Sequence, residues 1–231
     1  MKPVIKNGLI IGKPYSIADL KTVQNALAAI NIRDKFKILV YDDMGFPNID
    51  AFRNEGYIIQ CNKHFEDLAS ASEYPIVICD IKGVGTQYDP DKGGAYVLRE
   101  LRKKYPFKQY AAYSGFMYDL DIMKELKGVP IIPKTTNTDT WRQNLDELIR
   151  RAADPIENWK SIRTFLLEKD VPLIEVLKME NVFVDAFLNK NNKISDFPSK
   201  KDFPDISQDI RAIINNLIAA GIVKLIGTVF K

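Results

Sequence analysis

Histidine is almost missing from this 231-residue chain: there is one, His64, beside two cysteines, Cys61 and Cys79. That scarcity excludes a zinc cluster, a multi-histidine metal centre and a disulfide scaffold, so any metal must be held by oxygen ligands. Both cysteines adjoin apolar runs and read as reduced core residues, which suits a cytoplasmic compartment. A large excess of one charge is missing too, since 33 Lys and Arg face 30 Asp and Glu. A signal peptide is not expected: Met1–Asn7 carries Lys2 and Lys6, and the apolar run that follows is only Leu9–Ile11. What is present is an ordinary globular composition, 46% hydrophobic and 27% charged, which excludes wholesale disorder. The length allows one large domain, or one ordinary domain with a sizeable appendage.

The small positive charge is uneven. Residues 1–35 hold six basic and two acidic side chains (Lys2, Lys6, Lys13, Lys21, Arg33 and Lys35 against Asp19 and Asp34), whereas residues 154–231 hold eleven of each. Sequence-independent DNA binding needs Lys and Arg to neutralise phosphates, so a neutral C-terminal third is a poor DNA-binding output.

Ser16-Ile17-Ala18-Asp19 has the form of a capping box and predicts a helix to about Ile30, with Leu20, Val23, Leu27 and Ile30 on one stripe. From Lys37 the pattern changes. Ile38–Tyr41, Tyr57–Ile59, Ile76–Cys79, Tyr110–Tyr113 and Val129–Ile132 read as strands, apolar throughout as strands buried on both faces should be. Between and after them, Ile49–Arg53, Phe65–Ala71, Ala95–Lys104, Leu120–Leu126 and Leu145–Ala152 have helical spacing. Strands alternating with helices indicate a parallel α/β sheet with helices on both faces. After Asp154-Pro155 the strands stop. Trp159, Ile162, Phe165 and Leu166 make one helical stripe and Val171–Leu188 another. Residues 189–203 read as a loop, and a last helix is expected over about Ile206–Ala220, closed by Gly221. The apolar stretch Ala212–Phe230 is interrupted by Asn215, Asn216 and Lys224, which favours a buried amphipathic helix over a membrane span. Three segments result: an N-terminal arm and helix (1–35), an α/β domain (36–153) and a helical C-terminal extension (154–231).

In a parallel α/β sheet ligands bind beyond the carboxyl ends of the strands. Asp42-Asp43 ends the first strand, Asp80 the third and Ser114-Gly115 the fourth, while the fifth runs through Pro133 into Lys134. Three carboxylates at one mouth suit Mg²⁺, a hard cation that takes a carboxylate or two with water and phosphate oxygens. Asp80 on the central strand can serve as a nucleophile toward phosphorus. Lys134 offers a positive charge to one phosphoryl oxygen and Ser114 a hydroxyl to another, with Gly115 leaving space. Asp89-Pro90-Asp91 reads as a turn, and His64 as a partly exposed structural residue.

The run Lys37–Asp43, the strand Ile76–Asp80, Tyr113-Ser114-Gly115 and Pro133-Lys134 together resemble the receiver domain of two-component response regulators, over residues 36–153. The resemblance implies a flavodoxin-like (βα)5 fold, with Asp80 as phosphoacceptor and Mg²⁺ held by Asp42, Asp43, Asp80 and the backbone carbonyl of Lys82. It also implies Ser114 as switch hydroxyl and Lys134 as the lysine that senses the phosphate. A histidine kinase or phosphotransfer protein would be the donor, with a homodimer possible, and neither DNA nor membrane is an expected partner. The chain departs from the family pattern in four places: Pro47 in a short first helix, the long loop Ile81–Lys92, Thr135 after Lys134, and Ile131 where the family has an aromatic. The altered loop and the missing aromatic motivate the alternative of a pseudo-receiver, an unphosphorylated interaction module. A turnover enzyme is not expected, because a phosphohydrolase of one common pattern needs a general acid two residues after Asp80, where Lys82 stands.

Overall fold

The structure, a computed structural model, describes residues 4–6, 9–115, 120–189, 198 and 203–217. In chain order its elements are β1 (Val4–Lys6), β2 (Leu9–Ile11), α1 (Lys21–Ala28), β3 (Lys37–Tyr41), α2 (Ile49–Asn54), β4 (Ile58–Asn62), β5 (Ile76–Asp80) and α3 (Gly94–Lys104). They continue with β6 (Gln109–Ser114), α4 (Leu120–Glu125), β7 (Ile131–Pro133), α5 (Thr138–Ala153), α6 (Pro155–Glu168), α7 (Leu173–Asn189) and α8 (Gln208–Leu217). The chain divides into two compact units, Asn31–Ala152 and Met1–Ile30 with Ala153–Lys231. The stretches that read in sequence as a separate arm and extension thus share one unit.

In Asn31–Ala152 the sheet is wholly parallel in the order β4-β3-β5-β6-β7. Counted from its own first strand this is 2-1-3-4-5, the flavodoxin-like order. The chain leaves β3 toward β4 on one side and returns to β5 on the other. The crevice at that reversal lies beyond the carboxyl ends of β3 and β5, where Asp42 and Asp80 stand. Ile38–Tyr41 and Ile76–Asp80 are buried without exception, as central strands covered on both faces must be. The expectation that every strand is buried on both faces fails at β4, which is an edge strand: Ile58 and Gln60 face water while Ile59 is buried.

Three helices differ from expectation for local reasons. Phe65–Ala71 forms only a 3₁₀ turn at Ala69–Ala71. There Asp67 Oδ1 accepts the Ser70 amide (2.8 Å) and Ser70 Oγ donates to the Asp67 carbonyl (2.6 Å), bonds that compete with a helical ladder. The helix expected at Leu145 begins seven residues earlier at Thr138, because Asn137 Oδ1 caps the Thr140 amide (2.8 Å) and starts a polar first turn. Trp141, Leu145, Leu148 and Ile149 form its buried stripe. The helix after Ser16 opens as 3₁₀ (Ile17–Leu20), Asp19 accepts the Ser16 amide at 2.8 Å, and α1 ends at Ala28, which leaves Ile30 exposed.

Lys108, just before β6, is buried and donates to the carbonyls of Ala71, Ser72 and Tyr74 at 2.6, 2.7 and 2.7 Å. Burial pushes its ammonium down to about 7. The three carbonyls satisfy its donors and fix the segment that enters β5.

The second unit is stitched by buried polar groups. Glu180 on α7 accepts Trp159 Nε1 (2.7 Å) from α6 and the Ile17 amide (3.2 Å). Asn181 accepts the Tyr15 amide (2.8 Å). Asp154 caps α6 through the amides of Ile156 and Glu157 and also accepts Gln24 of α1 at 2.7 Å. Trp159, Phe183 and Phe187 pack in series beside them, with centroids 5.1 and 5.2 Å apart. The C-terminal part of the last expected helix, its Gly221 cap and most of Ala212–Phe230 and of the loop 189–203 lie outside the described residues. Among those described, no helix is long and apolar enough to cross a membrane.

Candidate functional site

β3 and β5 pair with Tyr41 opposite Cys79, so the residues that follow them emerge side by side at the crevice. Asp42 and Asp80 are only 1% and 2% exposed, and Asp43 is half-buried. One carboxylate oxygen from each of the three lies within 4.8 Å of the others. Lys134 follows β7, and its Nζ donates to Asp80 Oδ2 at 2.6 Å and lies 3.8 Å from Asp42 Oδ2. Ser114, buried at the end of β6, is opposite Pro133, and its carbonyl accepts the Lys134 amide at 2.7 Å. The Lys82 amide donates to Asp80 Oδ1 at 3.3 Å. Thus Asp42, Asp43, Asp80 and Lys134 form one cluster, with Ser114 on the adjoining strand end and Lys82 joined to it through its backbone.

Each acid is held differently. Asp42 Oδ1 accepts the amides of Met44 (2.7 Å) and Gly45 (3.1 Å), a turn made by its own side chain, while its Oδ2 accepts the Tyr113 hydroxyl. Burial pushes the Asp80 carboxyl above its ordinary value, outweighing the Lys134 ammonium and the Lys82 amide, and Asp42 adds to the rise. Burial opposes the charge of Lys134, but its bond to Asp80 and the field of all three acids hold it above its ordinary value. A buried negative cluster with one cation therefore carries excess charge, which a divalent ion would relieve. The donors are all hard oxygens, so the residues present fit Mg²⁺.

Two residues of the site escaped the sequence reading. Tyr113 sits in an apolar strand run and reads as core, yet its hydroxyl orients Asp42 and its ring lies 5.1 Å from Lys134 Nζ. Phe46 and Trp141 pack edge-on against that ring, at 5.8 and 5.5 Å, and fix it. Gly83 adopts φ +83°, and a methyl group there would lie 2.3 Å from Asp43 Cγ. Only glycine allows this loop to press on that carboxylate. Gly83→Ala is expected to weaken Mg²⁺ binding about tenfold or more by displacing Asp43, as read by calorimetric titration. Unchanged affinity would show that Asp43 is not a ligand.

Outside the cluster, Asp89 Oδ1 accepts the amides of Asp91 (3.2 Å) and Lys92 (3.0 Å), which makes that acidic stretch a turn. His64 is exposed.

No family model and no curated protein matches the sequence. Solved structures to which the chain is similar include response-regulator proteins, receiver domains among them. They include a CheY-like receiver domain protein from Methanospirillum hungatei, at 21% identity and TM-score 0.38 over 50% of this chain and 98% of that one. The beryllofluoride-activated NtrC4 receiver domain dimer matches at 17% identity and TM-score 0.35, over 48% and 94%. A Burkholderia pseudomallei response regulator with a phosphorylated aspartic acid, calcium ion and citrate matches at 16% and 0.35, over 67% and 92%. The flavodoxin-like assignment rests on strand order and connectivity in this chain itself.

Proposed function

We propose that this protein is a response-regulator-like phosphoacceptor. The observation that carries the reading is the placement of buried Asp80 at the sheet's switch point, bonded to Lys134 and within ligand distance of Asp42 and Asp43. An Asp80 oxygen attacks phosphorus on a phosphohistidine of a histidine kinase or phosphotransfer protein. The new P–O bond forms as the P–N bond breaks, and the donor imidazole leaves with the electron pair. Asp42, Asp43, Asp80 and the Lys82 carbonyl would hold Mg²⁺, which when bound neutralises the acids and the incoming phosphoryl charge. Lys134 shifts its donors from Asp80 to a phosphoryl oxygen, and Ser114 donates its hydroxyl to another. Signalling proceeds through protein contacts, a homodimer among them, in a cytoplasmic setting.

The test is incubation of the full chain with acetyl phosphate or phosphoramidate and Mg²⁺, read by intact mass. A labile adduct of one phosphoryl group that needs Mg²⁺ is expected. Its absence with both donors and with a histidine kinase would overturn the reading in favour of the unphosphorylated pseudo-receiver, which the missing aromatic at Ile131 motivates.

A further inference from the structure

We propose that a cleft between the β4–β5 connection and α3 is a docking pocket for an arginine side chain of a partner protein. The cleft, about 430 Å³ in volume, is walled by Phe65, Tyr88 and Tyr96 and rimmed by Glu66, Asp67 and Glu100. It exists because the segment that reads as a helix, Phe65–Ala71, contributes a single 3₁₀ turn, and the long loop after Asp80 folds into the vacated side.

The walls are built. Tyr88 Oη donates to the Glu66 carbonyl at 2.6 Å and Gln87 Nε2 to the Phe65 carbonyl at 2.9 Å, so the loop is tied to the opposite wall. Phe65 packs edge-on against Tyr41 and Tyr88, at 5.5 and 5.6 Å. Tyr96, Glu100 and Lys104 recur every four residues along α3 and make the third wall. Tyr88 stacks on Tyr96 with centroids 6.4 Å apart and planes 9° apart, yet 49% of Tyr88 stays exposed.

Charge complementarity selects the occupant. Aromatic faces are electron-rich, and planar guanidinium stacks on them while its edge pairs with carboxylates. Arg99 of this chain already rests on Tyr96 in that manner, at 4.8 Å from ring centroid to Cζ. Glu100 is satisfied by Arg99 and Lys103. Glu66 and Asp67 are exposed and have no ion-pair partner among the described residues. Lys104 is the one base on the rim, and its ammonium lies 5.5 Å from the Tyr105 ring. The rim therefore has a net negative charge beside a half-exposed tyrosine. A basic side chain with an apolar stem fills such a site. Arginine fits its flat aromatic wall better than lysine.

The probe is the blocked tripeptide acetyl-Gly-Arg-Gly-amide, with its citrulline counterpart as a neutral isostere, titrated into the full chain and followed by tyrosine-ring NMR. The arginine peptide is expected to shift Tyr88 and Tyr96 saturably and to bind at least about fivefold more tightly than the citrulline peptide. Tyr88→Ala should remove the shifts at Tyr96, and Glu66→Gln, an exposed and structurally mild change, should weaken binding severalfold. Lys104→Ala should tighten it. Equal binding of the citrulline peptide, no saturable shift, or binding that survives both Tyr88→Ala and Glu66→Gln would overturn the proposal. No phosphodonor is used, and Asp80→Asn should bind the peptide like wild type, so failure here is separable from failure of the phosphoacceptor reading.

Discussion

Asp80→Asn is expected to abolish the phosphoryl adduct proposed above, to leave the fold intact and to make the metal-free protein slightly more stable. The first effect is all or none, since an amide is not a nucleophile toward phosphorus and no other carboxylate stands on the central strand end. The second follows from charge. Burial raises the Asp80 carboxyl above its ordinary value, so the folded protein holds that proton more tightly than the unfolded chain does. The contribution to stability is then present at low pH and lost as pH rises through the folded value. At pH 8 an ionised Asp80 costs stability that asparagine does not, even after the loss of the Lys134 ion pair. A rise in melting temperature of roughly 2–4 °C is expected, shrinking as pH falls toward the range where Asp80 is protonated. Stabilisation by millimolar Mg²⁺, expected of wild type, should be largely lost. Thermal scans at two pH values with and without Mg²⁺ read all of this. An adduct that persists in Asp80→Asn would place the phosphoryl group elsewhere.

The parts of this site that were legible in sequence are those where a strand ends in a polar residue. Asp42-Asp43, Asp80, Ser114 and Lys134 each interrupt an apolar run at its carboxyl end, and a parallel sheet brings all such ends to one edge. The strand order that makes the Asp42–Asp80 crevice special is a property of pairing, which periodicity does not report. For the same reason β4 did not read as an edge until its partners were known. Tyr113 is hidden because its phenol packs against Phe46 and Trp141 as a core ring would, while its hydroxyl bonds Asp42. The Phe65–Ala71 segment has helical apolar spacing, but Asp67 and Ser70 close their own short-range bonds. The shared unit of arm and extension depends on Glu180, Asn181 and Asp154. In sequence these are ordinary polar residues on helices, with partners more than a hundred residues away.

Gly94 shows how closely fold and site are coupled, and replacing it should have the largest effect on stability. It opens α3 against the end of β5, its amide donating to the Ile81 carbonyl at 3.0 Å. A methyl group there would lie 2.0 Å from the Asp80 carbonyl oxygen and 2.9 Å from Cys79 Sγ. Neither the strand nor the helix start can yield without breaking pairing: Asp80 is in register with Tyr113, and the Ile81 amide bonds the Tyr113 carbonyl at 3.3 Å. The clash is with backbone, so no rotamer change relieves it, and overpacking of this kind costs about 3 kcal/mol. Gly94→Ala should therefore lower the melting temperature of the α/β unit by roughly 10 °C. Where the strand end gives way instead, Asp80 moves relative to Asp42 and Asp43, and Mg²⁺ affinity and phosphorylation fall with it. Gly115→Ala is the matched control, because an added methyl there meets open space. Equal melting temperatures for the two variants would mean that α3 does not press on β5 as described.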